Sequence, residues 1–457
     1  ADDIGASILQ QGRRLKGTVD QPRLRLRPPD QGFFEKYVQN PAAGTDQAGL
    51  IADHLPTDSQ RHILLNLRLF LDRLDALAPE RREALAQFID RHTYLVVVAT
   101  QDFESAYRIF TVLNERGLDL SHTDILKAGV VGELPDDDKA AYTAKWQAEE
   151  EALGRDGFAD LFAHIRMVFA KTKARETILK EFRTSVLSRY PDSRAFIDDV
   201  LVPFSDAYEV VVNRRYPSRE AAAGEIDQLL GWLDRLDNRD WVAPAISHLR
   251  RPDVAADQVA RYLADLERLA ASMFVRRVDI TRRIERYGQV LEAMERGADL
   301  HAPGSPLQLS ADERRRTIAG LDADIYNVTR IRLYVLLRLD SALAGAGATY
   351  DDSVITVEHV LPRNPAEGSP WRRWFTDEQR AEWTHRLANL VLLARRKNSQ
   401  AGNFAFAYKQ RSYFRMADGV SPFALTSQVL GQTEWTPEVL ERRQRALLAK
   451  LIELWRL

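Results

Sequence analysis

Cysteine is absent from all 457 residues. Its absence excludes a disulfide framework and any zinc site built on thiolates, and it fits a reducing, cytoplasmic setting. Long apolar runs are missing too: none reaches eighteen residues and no basic-then-apolar leader opens the chain, so neither a membrane span nor a secretory signal is expected. Net charge is small, −2 from 64 Lys and Arg against 66 Asp and Glu, so affinity for a polyanion has to come from local patches. The remaining 45% apolar and 28% charged composition is that of a soluble globular chain, long enough for two or three domains.

Hydrophobic spacing makes the fold mainly α with a small α+β part. Near the start, Arg23, Leu24, Arg25, Leu26 and Arg27 alternate as an edge strand that Pro28 and Pro29 should stop. Ile63, Leu64, Leu67, Phe70, Leu71 and Leu74 recur at helical steps, a second helix runs from Pro79 to Arg91, and Thr93 to Ala99 reads as a buried strand. Ser121 and Asp124 form a capping signature for a helix from His122. From Ala140 to about Leu300 the pattern is helical throughout, with Trp232 and Trp241 packed between helices; Arg276, Arg277, Arg282, Arg283 and Arg286 near its end read as a solvated face. His301 to Pro306 reads as a linker or long loop, and Asn327 to Leu343 as a further helix.

The stretch that carries chemistry lies between Val354 and Lys409. Val354, Ile355, Thr356 and Val357 read as a strand that delivers Glu358 and His359 at its end, before Pro362 ends the pairing. A second strand, Leu390 to Leu393, follows Asn389, and Asn398 stands at the mouth of a helix. Strand, strand, helix with these residues suits a metal-dependent phosphodiesterase, which needs a base for water, a cation on the phosphate and a group that holds the base. His359 is the base in this reading. Glu358 and Asn398 are hard oxygen ligands for magnesium or manganese, and Asn389 accepts from the imidazole to fix its tautomer.

Charge points the same way. Between Trp383 and Ala417 there is no acidic residue, whereas Arg386, Arg395, Arg396, Lys397, Lys409, Arg411 and Arg415 all fall there. Arg395, Arg396, Lys397 and Lys409 are the expected phosphate contacts, with a solvated face as the plain alternative. Tyr408, Tyr413 and Phe414 among them, like Trp371, Trp374 and Trp383 between the strands, read as walls of a small core.

These residues resemble the HNH, or ββα-metal, nuclease motif: an acidic residue beside His, then Asn, then a further Asn after eight intervening residues, here Asn389 and Asn398. Glu358-His359 with Pro362, the run after Asn389, Asn398 with Asn403, Phe406 and Lys409, and the tail Trp435, Arg442 and Trp455 are similar to the C-terminal nuclease domain of GmrSD-family type IV restriction enzymes. Ala388 departs from the pattern, standing where the family usually has Gly, which puts the local turn in question. Further upstream, Phe110, Asn114, Gly117, Leu120, Asp124 and Lys127 resemble the ParB-like domain that accompanies that nuclease. The D-G-Q-Q-R motif tied to nucleotide use in that domain is not in this sequence, and Gln60-Arg61 is no substitute. A nucleoside triphosphate is therefore expected only of a longer, full-length protein.

The resulting expectation is three parts: residues 1–133, the later part of a ParB-like domain; 134–345, a helical domain with linker; and 346–457, an HNH nuclease domain ending in a helix. The resemblance implies a DNA endonuclease or nickase of a phage-restriction system acting on double-stranded, modified DNA, with magnesium or manganese and no membrane. Self-association is left open. A non-catalytic DNA-binding or scaffolding protein on a degraded nuclease fold, and an RNA-directed nuclease or toxin, are the competing readings.

Overall fold

The computed structural model describes residues 8–12, 19–40, 49–94, 121–345, 350, 355–394, 403–414 and 421–457. The chain divides into two compact units, Ala1–Ala106 and Tyr107–Leu457. Among the described residues no helix is long and apolar enough to cross a membrane.

In the first unit, β1 (Leu9–Gln10) pairs antiparallel with β2 (Gln21–Pro22), followed by α1 (Pro28–Phe34), α2 (Asp58–Asp75) and α3 (Pro79–His92). The edge strand expected at Arg23–Arg27 does not form. Pro28 and Pro29 open α1, because a helix's first turn has no use for the amide proton that proline lacks; before it the Arg23 amide donates to the Ile8 carbonyl at 2.9 Å, and residues 24–27 join no strand among the described residues. Thr57 caps α2 by accepting from the Gln60 amide. Of the six apolar positions that mark α2, Leu64 alone is buried, and Phe70 on α2 and Phe88 on α3 are about 60% exposed (62% and 60%). The strand read at 93–99 lies almost wholly outside the described residues, as do Phe110, Asn114, Gly117 and Leu120.

In the second unit, α4 (His122–Gly132) opens with the expected capping box, the Ser121 and Asp124 side chains each bonding the other's backbone amide. Then come α5 (Asp136–Ala170), α6 (Ile178–Ser185), α7 (Ser193–Phe196), α8 (Val202–Asn213), α9 (Ala223–Asp234), α10 (Val242–Leu249), α11 (Ala256–Val275), α12 (Ile280–Glu295), α13 (Ala311–Leu321) and α14 (Thr329–Ala344). Gly154 kinks α5 with φ +67, a conformation that costs a Cβ-bearing residue. Gly288 lets α12 approach the end of α5: a Cβ there would stand 2.3 Å from the Lys171 carbonyl oxygen. Ile125, Leu126 and Val130 of α4 share one core with Trp146, Phe158 and Phe162 of α5 and with the helices beyond. α4 thus packs its apolar face against the helices that follow residue 133. Trp232 and Trp241 are buried in the same core, as expected. The segment at 301–306 packs as a loop, with Arg286 donating to the Pro306 carbonyl at 2.5 Å.

After the helical body, β3 (Ile355–His359) and β4 (Leu390–Ala394) form an antiparallel hairpin in which Glu358 lies opposite Val391 and His359 opposite Leu390. Between the strands stand α15 (Pro370–Trp374) and α16 (Asp377–Trp383), and beyond them α17 (Phe406–Lys409), α18 (Ala424–Leu430) and α19 (Pro437–Trp455). Side chains alternate across a strand, so the hairpin has two apolar faces. Ile355, Leu390 and Leu392 enter the core of the helical body. Val391 and Leu393 enter a second core with Trp371, Phe375, Trp383, Phe406, Phe414 and Trp435. The tryptophans between the strands thus wall a small core as expected, and Phe414 joins it, whereas Tyr408 is 42% exposed. One face of the hairpin completes the core of the helical body, and Trp455 of α19 donates to the buried Glu267 of α11.

Candidate active site at the end of the hairpin

The β3 residues Glu358 and His359 alternate, so they serve opposite faces. Glu358 shares its face with Val391, towards the second core. There Lys409, wholly enclosed on α17, places its ammonium 2.9 Å from Glu358 Oε1 and donates to the His359 carbonyl at 2.7 Å. Burial pushes the Lys409 pKa down, and the Glu358 charge works against that shift. Lys409 is accordingly an internal counter-ion and is removed from the expected phosphate contacts: a fully buried ammonium with two acceptors does not face a DNA backbone.

His359 shares its face with Leu390, towards the helical body. Its ring is buried and tilted against that of Tyr326, 4.0 Å between centroids, and the Arg332 guanidinium lies 4.3 Å over the Tyr326 ring. Nε2 of His359 is 3.2 Å from Nδ1 of His385. Burial, then the neighbouring His385, Arg363, Lys409 and Arg332, lower the His359 pKa to about 3, so the ring is neutral at ordinary pH. Burial also lowers the pKa of His385, opposed by the Asp324 carboxylate.

Asn389 is fully buried, and all of its amide capacity goes elsewhere than the imidazole. Its Oδ1 accepts from the Leu361 amide at 2.7 Å and from Trp435 Nε1 at 3.1 Å, while Nδ2 donates to the Leu361 and Thr384 carbonyls, each at 2.9 Å. The expected contact from Asn389 to His359 is thus corrected: Asn389 staples the turn after β3 to the approach to β4, and through it sets where β3 ends. Ala388 has its amide bound to Gln444 and its carbonyl to Arg443. It is not among the residues with positive φ, so this turn does not require the glycine usual at that position.

Asn398, Arg395, Arg396 and Lys397 lie outside the described residues. Among the described residues no three His, Asp or Glu side chains converge as a metal cluster. Glu358 fits a cation in part. One oxygen holds Lys409, and no hydrogen bond from a described residue reaches the other.

The structure adds two residues that sequence reading missed. Tyr326 reaches the site because its amide donates to the His385 carbonyl at 3.1 Å, and His385 because it follows α16 at the approach to β4. Neither sits in a pattern that marks it: His385 is one histidine between Thr384 and Arg386, and Tyr326 lies in a single 3₁₀ turn, Ile325–Asn327.

No curated protein matches the chain. Residues 311–450, which run from α13 through most of α19 and hold every described residue of the site, match the family described as GmrSD restriction endonucleases, C-terminal domain.

Proposed function

We propose that this chain is a DNA endonuclease or nickase of a restriction system directed at modified or phage DNA, and that His359 is its general base. The observation that carries the reading is the match of residues 311–450 to the restriction endonuclease family, with the His359 imidazole at the end of a hairpin inside that stretch. A neutral imidazole has a lone pair to take a proton from water. As that O–H bond breaks, the hydroxide oxygen attacks phosphorus and the bond to the leaving sugar oxygen opens. In this reading Glu358 and Asn398 hold magnesium or manganese, which when bound offsets the negative charge of the phosphate. Asn389 acts from a distance by fixing the turn behind His359. Arg395, Arg396 and Lys397 contact the DNA backbone, each worth roughly one released counterion in the salt dependence of binding. Any nucleoside triphosphate would belong to regulation in a longer protein.

Supercoiled plasmid with magnesium or manganese tests the reading. Nicking is expected, and plasmid left intact by a molar excess of protein would overturn it in favour of a non-catalytic DNA-binding protein. RNA cleaved in preference to DNA would favour the RNA-directed alternative. Calorimetric titration with manganese should show a site that Glu358→Gln weakens, a substitution that keeps an acceptor for Lys409.

A further inference from the structure

We propose that His385 is a positioning residue for His359: its Nδ1 accepts the Nε2–H of His359 and so leaves Nδ1 of His359 as the nitrogen free to take a proton. The inference rests on the nuclease reading above for its functional consequence, but its structural content stands on the contact between the rings. Two neutral imidazoles 3.2 Å apart through Nε2 and Nδ1 share one proton, so one nitrogen donates and the other accepts. If His385 donated, His359 would carry its own proton on Nδ1 and would have no lone pair left for water. If His359 donates, its Nδ1 is free to act as base.

The base role assigned to His359 requires the second arrangement, and the contact between the two rings supplies the acceptor for it. Tyr326 holds both rings in place: its ring lies 4.0 Å from that of His359 and stacks on that of His385 at 5.5 Å and 19°. The main chain adds the bond from the Tyr326 amide to the His385 carbonyl. A partner held by a ring stack and a main-chain bond keeps the base in one tautomer, whereas a free imidazole would divide between two.

The test uses the whole chain and three forms of residue 385. His385→Phe keeps a ring for Tyr326 and removes the acceptor; the turnover number for plasmid nicking should fall on the order of 10²-fold with KM unchanged. His385→Asn, whose Oδ1 stands where Nδ1 does, should recover most of the loss. In protein labelled with ¹⁵N-histidine, long-range ¹H–¹⁵N spectra should show residue 359 protonated at Nε2 in the wild type and divided between tautomers in His385→Phe. Wild-type residue 359 protonated at Nδ1, or undiminished nicking by His385→Phe, overturns the proposal. If the wild type does not nick at all, the nuclease reading fails by itself and the tautomer spectra still decide the role of His385.

Discussion

Adjacent residues on β3 face the same difficulty, a titratable group enclosed by protein, and meet it in opposite ways. On the face towards the second core, Glu358 is paired with the buried ammonium of Lys409. On the face towards the helical body, His359 stays neutral and bonds to a second neutral ring. A charged pair is tolerated in a low dielectric only while both members are present, so the Glu358 face is fragile towards loss of either partner. A neutral imidazole needs no counter-ion, so the His359 face can enclose a reactive group and still have it unprotonated at ordinary pH.

The largest expected effect breaks the charged side. Lys409→Met leaves the Glu358 carboxylate and the His359 carbonyl without their donor, and unfolding in urea followed by tryptophan fluorescence should show a loss of about 3–5 kcal/mol. Adding Glu358→Gln should return much of it. A single variant as stable as the wild type would mean that the ion pair is not what keeps this face closed.

A smaller effect sharpens the neutral side, at a histidine away from the candidate site. His248 is buried in the helical body with its ring stacked 3.9 Å from that of Tyr262, and neither ring nitrogen has a hydrogen-bond partner among the described residues. Burial lowers its pKa from 6.5 to about 4. The folded-state value lies below the unfolded one, so between pH 6.5 and about 4 the unfolded chain binds the extra proton. The neutral ring's contribution to stability is complete above that window and is lost as pH falls through it. His248→Phe should flatten the pH dependence of urea midpoints there, and an unchanged slope would contradict the neutral assignment.

The hairpin was legible in advance because β-branched and apolar runs end on Glu358-His359 and begin after Asn389, and the observed strands fall there. Which way the polar side chains turn was not. The basic run around Lys409 reads as a surface patch because charge counting along a sequence does not register burial: Lys409 is enclosed, whereas Arg386 is half-buried and Arg411 exposed. Asn389 was placed in the right region with the wrong partner, since spacing fixes a residue's position but not the direction of its amide. At Arg23–Arg27 the alternation was outweighed by the local preference of two prolines to open a helix. His385 and Tyr326 carry no pattern of their own and come to the site only through tertiary packing.

The central claim is that the imidazole at the end of β3 takes the proton from attacking water, and the most direct measurement compares wild type and His359→Ala for single-turnover nicking of supercoiled plasmid in manganese, with circular dichroism of both. The account predicts matching spectra and a rate lowered by about 10²-fold or more in the variant. Equal rates from two equally folded proteins would contradict it.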